Sequence, residues 1–214
     1  MDNSDIVISD EERDILQEVM NIAFGKASAE LAEVIDIYVV LSVPDIKLMK
    51  TADVPGYIEA EINDFNNISV IKQSYRGKFH GTALLFFPGG AGKKLFSLFG
   101  NSTAATPESK GISIVLEKET LLEVGNILIG ASVSKVAELL NDVVSYRPPR
   151  IIVESRPGEI VDWDLAEPEG TAILMHTVFS FENRDISGLL FLIPSYKSFE
   201  WLKKALHAFI QQYE

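Results

Sequence analysis

The chain has 214 residues, of which 47% are hydrophobic, so it is long enough to bury a core of its own. The 31 acidic and 19 basic residues give a formal net charge of −12, the wrong sign for binding nucleic acid or anionic lipid. Because there is no cysteine, disulfides, thiolate metal sites and cysteine nucleophiles are excluded. The acidic first residues are not those of a secretory signal, and we find no apolar run near the roughly 18 residues of a membrane span. We therefore expect a cytoplasmic protein without membrane insertion.

The first half of the sequence predicts a long helix followed by strands and a short helix. Ser9 and Glu12 have the spacing of a capping box, and apolar residues then recur at helical intervals to about Asp36. The next predicted elements are a β-rich stretch, a Pro-Gly turn, further strands ending in an apolar run, and a short helix. The β-rich stretch is at 38–48 and the turn at Pro55-Gly56. The apolar run is at 81–88 and the short helix at 92–99.

The second half repeats this order after a connection rich in Gly, Ser, Thr and Pro at residues 100–112. A second long helix is predicted from about Leu116 to Asn141. The elements after it are again strand material, a Pro-Gly turn, two strands and a final helix, at 143–155, Pro157-Gly158, 171–181, 187–194 and 198–213.

A shift of 105 residues aligns the two halves, which indicates an internal duplication. We predict a single domain, 1–214, made of two repeats at about 9–99 and 113–214 with a linker near 100–112. A duplication of this kind most simply gives an α+β fold with a pseudo-twofold axis, a mainly antiparallel sheet and packed long helices. Aligned pairs include Leu16 and Leu121, Glu18 and Glu123, Asn21 and Asn126, Gly25 and Gly130, and Pro44 and Pro149.

A polar row runs along one face of each predicted long helix. Asp14, Glu18 and Asn21 are spaced i, i+4 and i+7, and Gly25 continues the row one turn further on. A single row of this kind is usually a solvated helix face. Asn and Gly are poor helix formers, so their repetition argues against a role in helix stability, although two copies also share residues by ancestry. The second row consists of Glu119, Glu123, Asn126 and Gly130.

These rows resemble the signature of the CheC, CheX and FliY chemotaxis phosphatases. That signature is Asp or Ser, three residues, Glu, two residues, Asn, twenty-two residues and Pro, which Asp14, Glu18, Asn21 and Pro44 match in full. The second copy, Glu119, Glu123, Asn126 and Pro149, departs from it only at Glu119. The resemblance covers nearly the whole chain and includes the two motif helices of a duplicated CheC fold.

The resemblance implies a phosphatase for the aspartyl phosphate of a CheY-type response regulator. Asn21 and Asn126 would orient the attacking water, as the glutamine of GTPases does, and Glu18 and Glu123 would pair with the active-site lysine of the receiver. The receiver would carry its own Mg²⁺, so we expect no metal or cofactor on this chain. Partner-binding or motif-supporting roles are expected for the remaining signature positions: Asp14, Glu119, Gly25, Gly130, Pro44 and Pro149.

The main alternative is a non-catalytic adaptor that binds a response regulator, the flagellar switch or a CheD-type receptor deamidase. CheC-like proteins pair with CheD, so this partner is compatible with either function. Because one chain holds both motifs, we expect a monomer.

Other chemical candidates are weaker. The three histidines His80, His176 and His207 show no metal-ligand spacing. PGGAGKK at 88–94 lacks the spacing of a phosphate-binding loop, and the acids near 162–164 lie in a predicted loop where solvated charge is usual.

Overall fold

The computed structural model describes residues 8–35, 38–62, 68–98, 107–152, 170–182 and 184–211. Within them, α1 (Asp10–Ile35) and α4 (Pro107–Leu139) are the long helices, and the shorter helices are α2 (Val54–Glu61), α3 (Ala91–Leu98) and α5 (Phe199–Ile210). The first four strands are β1 (Val39–Leu41), β2 (Asp45–Lys50), β3 (Ile68–Arg76) and β4 (Gly81–Pro88). The last four are β5 (Ser145–Tyr146), β6 (Arg150–Ile152), β7 (Thr171–Phe181) and β8 (Ser187–Pro194).

One sheet of eight strands runs in the order β1-β7-β8-β4-β3-β5, with β2 also on β7 and β6 also on β3. Every pairing among the described strands is antiparallel. The order is unchanged when the equivalent strands of the two halves are exchanged, which is the pattern of a pseudo-twofold axis. The predicted α+β class, with a mainly antiparallel sheet and packed long helices, is confirmed.

The two halves exchange strands across this axis. Ile46 of β2 lies opposite Met175 of β7, and Ile151 of β6 lies opposite Ile71 of β3. Each of these short strands therefore completes the sheet of the other half, so both halves contribute to one continuous sheet.

The main core lies between the sheet and the long helices. The buried stripe of α1 includes Leu16, Met20, Ala23 and Ala27, each 0% exposed, and it repeats at helical intervals. Burying such a side chain contributes about 1.5–3 kcal/mol, so this stripe fixes the face that α1 turns to the sheet. A second, smaller core on the opposite side of the sheet includes Val54 and Ile58 of α2.

The capping box at the start of α1 forms as the sequence predicts. The Oγ of Ser9 accepts a hydrogen bond from the Glu12 N–H at 3.1 Å, and Glu12 Oε2 accepts one from the Ser9 N–H at 2.9 Å. Glu12 also makes an ion pair with Lys203 of α5 at 3.4 Å, so the cap joins the first helix to the last.

Three sequence predictions differ from the structure. Pro55-Gly56 lies in the first turn of α2 rather than in a strand-to-strand turn, because a proline is well accommodated where helical N–H groups have no partner. Helix α4 begins at Pro107, so residues 107–112 of the predicted connection are helical. The third concerns membrane spans, since Ser113–Leu139 is long and apolar enough to cross a bilayer, although 50% of its most apolar window is buried inside the fold. The predicted turn at Pro157-Gly158 lies outside the described residues.

Candidate functional site

The first polar row lies on the exposed face of α1. Asp14, Glu18, Asn21 and Gly25 are all exposed, while Leu16 on the opposite face is fully buried. Glu18 and Asn21 have no hydrogen-bond or ion-pair partner within the described part of the chain. One carboxylate and one carboxamide, separated by about 4.5 Å of helix rise, are thus available to an approaching molecule.

The second polar row lies on α4 and is less accessible than the first. Glu119 and Glu123 are exposed, but Asn126 and Gly130 are partly buried. The two rows are therefore equivalent in sequence and different in their surroundings.

Asn126 is held by a side chain from the sheet. The Nε2 of Gln73, in the middle of β3, donates to Asn126 Oδ1 at 2.8 Å and to the Arg147 carbonyl at 3.1 Å. Gln73 is only 2% exposed, and its Oε1 is buried without a partner in the described residues. Leaving a buried amide oxygen without a partner costs free energy. The two hydrogen bonds of the Gln73 amide nitrogen therefore matter for its position, and one of them fixes Asn126 of the second site.

Tyr146 of β5 adds a second contact to this row. Its hydroxyl donates to the Gly130 carbonyl at 3.1 Å and accepts from the Ser134 hydroxyl at 2.7 Å. Burial raises the pKa of Tyr146 although the Ser134 hydroxyl opposes the rise, so the phenol remains a neutral donor at pH 7. The equivalent position in the first half is Leu41, which has no hydroxyl.

The glycine of each row leaves open space. A Cβ added at Gly25 or at Gly130 would meet nothing within 4 Å. Neither glycine is required by close packing inside the chain, which is what a surface kept free for another molecule would show.

The two signature prolines stand directly before β2 and β6. Pro44 is buried, and its carbonyl accepts a hydrogen bond from Gln17 Nε2 of α1 at 3.0 Å. Pro149 is partly buried in the equivalent position. Both are placed to fix the strand that follows each motif helix, since proline restricts its own φ and the residue before it.

The two long helices are joined by an ion pair near the pseudo-twofold axis. Lys135 of α4 bridges Glu30 of α1 at 3.1 Å, and these residues are equivalent under the shift of 105. Equivalent residues can touch only near the axis that relates them, so the pseudo-twofold axis passes between α1 and α4 at this point.

Sequence reasoning did not identify Gln73 or Tyr146 as parts of the site. A usable signal existed for Gln73, because the alternation of β3 places it between Ile71 and Tyr75, both of which are buried in the main core. A glutamine at an inward position of a strand needs a polar partner, and that partner is Asn126.

The remaining candidates lie away from the rows. The ring of His176 stacks on Phe191, His207 contacts Glu12 at 3.2 Å, and His80 Nδ1 lies near the Lys78 carbonyl. Among the described residues, no group of three His, Asp or Glu side chains is arranged to hold a metal ion. The acidic loop 162–164 lies outside the described residues.

Both motif helices match one known protein family. The model of the CheC-like family matches residues 11–48 and 116–153, the two segments that contain both polar rows and both prolines. This family match confirms the CheC-type resemblance recognised from the two motif helices.

Solved structures share the fold along nearly their whole lengths. A crystal structure of FliY from Thermotoga maritima aligns with a TM-score of 0.63 and 19% identity, covering 95% of this chain and 99% of the chain in that structure. CheX of Borrelia burgdorferi, in a complex with CheY, BeF₃ and Mg²⁺, aligns with a TM-score of 0.50 and 17% identity, over 82% and 96%. A FliG–FliM complex of Helicobacter pylori aligns with a TM-score of 0.51 and 13% identity, over 92% and 100%. At these identities the likeness establishes the fold, and it extends to both chemotaxis and flagellar-switch proteins.

Proposed function

We propose that this protein is a phosphatase that accelerates hydrolysis of the aspartyl phosphate on a CheY-type response regulator. The observation that carries the proposal is the exposed Glu18–Asn21 pair on α1, repeated as Glu123–Asn126 on α4. A carboxylate and a carboxamide on one helix face can dock a lysine and orient a water at the same time. The structure of a CheX bound to CheY supports a receiver domain as the partner.

The chemistry needs little more than positioning. An acyl phosphate is already activated, and the receiver supplies the Mg²⁺ that neutralises its charge, so the added group has only to hold a water in line. The amide oxygen of Asn21 would accept a hydrogen bond from that water, and Glu18 would bind the lysine of the receiver. No covalent intermediate on this chain and no metal of its own are required.

The test is the decay of a phosphorylated CheY-type receiver from the same organism, measured alone and with this protein. Asn21→Ala and Asn126→Ala are compared singly and together, with Glu33→Ala, another exposed residue of α1, as the matched control. The proposal is supported if the protein and its Glu33→Ala control speed the decay and the double variant does not. Equal acceleration by the double variant would refute the site assignment.

The second candidate is a non-catalytic adaptor on the same fold. The FliM neighbours favour it, because one of them is solved in a complex with FliG. A receiver that binds tightly but loses its phosphate at its intrinsic rate would favour this function.

Three further expectations remain parts of the proposal: a CheD-type deamidase as partner, a cytoplasmic location and a monomeric state. Analytical ultracentrifugation tests the monomeric state.

A further inference from the structure

We propose that Gln73 is a positioning residue that restrains Asn126, so that the second site works more slowly than the first. This inference rests on the proposed function and adds a restraint that limits the activity of the second site. The observation behind it is the hydrogen bond of 2.8 Å from Gln73 Nε2 to Asn126 Oδ1.

The orientation of both amides is fixed by a backbone carbonyl. Gln73 Nε2 also donates to the Arg147 carbonyl at 3.1 Å, and turning the amide over would place its oxygen against that carbonyl. The Gln73 amide nitrogen must therefore donate to Asn126, and Asn126 must accept with its side-chain oxygen. The oxygen is the atom that a water-orienting amide needs, since only an acceptor can take the hydrogen bond of the attacking water.

The restraint resists release because Gln73 is buried. At 2% exposure, its second hydrogen has no access to water when Asn126 moves away, and Oε1 is already without a partner in the described residues. Breaking a hydrogen bond and leaving a buried donor unmet lowers the population of free Asn126 by about fivefold to tenfold or more. Asn21 has no such restraint in the described part of the chain.

The pseudo-twofold axis supplies an internal comparison. Ile71 pairs with Ile151 and Met175 pairs with Ile46, so the position equivalent to Gln73 is Thr177. Thr177 Oγ1 donates to the Ser42 carbonyl at 2.6 Å, and Ser42 is equivalent to Arg147 under the shift of 105. Both halves thus keep the bond to the backbone, but only Gln73 is long enough to reach the asparagine as well.

The experiment substitutes Gln73→Thr, which copies the arrangement of the first half. In the Asn21→Ala background, where only the second site remains, kcat for receiver dephosphorylation is expected to rise about fivefold or more with little change in KM. In the Asn126→Ala background the Gln73–Asn126 bond is already absent. The effect of Gln73→Thr on kcat in that background therefore measures any indirect effect on the first site. Thermal unfolding of each variant confirms that it is folded.

An unchanged or lower kcat in a folded Asn21→Ala, Gln73→Thr protein would overturn the proposal, as would an equal rise in both backgrounds. Gln73→Ala serves as a second variant should threonine fold poorly. A merely structural role of Gln73 would lower stability and would not raise kcat.

A readout independent of activity separates this inference from the proposed function. The side-chain amide resonances of Gln73 are expected to shift with Asn126→Ala and to stay in place with Asn21→Ala. If the protein accelerates no decay at all, the proposed function fails, and these resonances still decide whether Gln73 holds Asn126. Resonances unmoved by Asn126→Ala would refute the restraint itself.

Discussion

Replacing Gly25 by alanine separates the needs of the helix from those of the proposed partner. Gly25 is exposed in the interior of α1, and an added Cβ would meet nothing within 4 Å. Glycine in a helix interior costs about 1 kcal/mol relative to alanine. Gly25→Ala is therefore expected to raise the free energy of unfolding by about that amount, or the melting temperature by about 2–4 °C for a chain of this size.

The matched control is a glycine of the other motif helix that faces the core. At Gly125 a Cβ would lie 3.0 Å from both Cγ1 and Cγ2 of Ile71, so overpacking opposes the helical gain. Gly125→Ala is expected to leave stability unchanged or to lower it. Urea unfolding followed by circular dichroism measures both variants on one scale.

The same Gly25→Ala change is expected to weaken the action on the receiver. If a partner packs directly against the row, the extra methyl costs roughly 1–3 kcal/mol at that interface, or about fivefold or more in kcat/KM of the first site. The assay is receiver dephosphorylation in the Asn126→Ala background, where only the first site remains. A more stable protein with unchanged kcat/KM would refute the reasoning that the glycine keeps space for a partner, and a less stable one would refute the packing argument.

Three further predictions concern stability. Ser9→Ala is expected to lose about 1 kcal/mol in urea unfolding, because Ser9 Oγ caps α1 through the Glu12 N–H; an unchanged midpoint would contradict that role. Burial opposes the charged form of Glu12, but the Ser9 N–H and Lys203 outweigh it and hold its pKa below the ordinary 4.5. Because the pKa of Glu12 is lowered in the folded state, the stabilisation is fully present above pH 4.5 and is lost as the pH falls through the folded value. Glu12→Gln is therefore expected to destabilise the protein at pH 7 by an amount that shrinks as the pH falls below 4.5; a difference that stays constant with pH would exclude the charge as the cause. Asp142→Ala is expected to lower the free energy of unfolding by about 1–3 kcal/mol, because it removes the carboxylate that accepts a hydrogen bond from the buried Phe79 N–H at 2.7 Å. Asp142→Asn is the milder change and is expected to lose less. Equal losses for the two variants would contradict this role.

Local patterns in the sequence determined much of this protein. The capping box at Ser9, the apolar stripe of α1 and the spacing of Glu18 and Asn21 depend on residues a few positions apart, which helix geometry relates directly. The repeat at 105 residues likewise predicted two equivalent halves, and the palindromic strand order agrees with them. The Pro-Gly pair at 55–56 was misread because proline suits the first turn of a helix as well as a turn between strands.

Only the tertiary structure decided which strands meet and what surrounds each motif. The exchange of β2 and β6 between the halves joins residues far apart in sequence, and no short-range pattern specifies such a partner. The same exchange carries Arg147 against β3, where Gln73 links its carbonyl to Asn126, while the shorter Thr177 leaves Asn21 free of any such bond in the described residues. The sequence repeats the motif almost unchanged, and the packing of unlike side chains around the two copies makes them different, because a hydrogen bond depends on the length and burial of both partners.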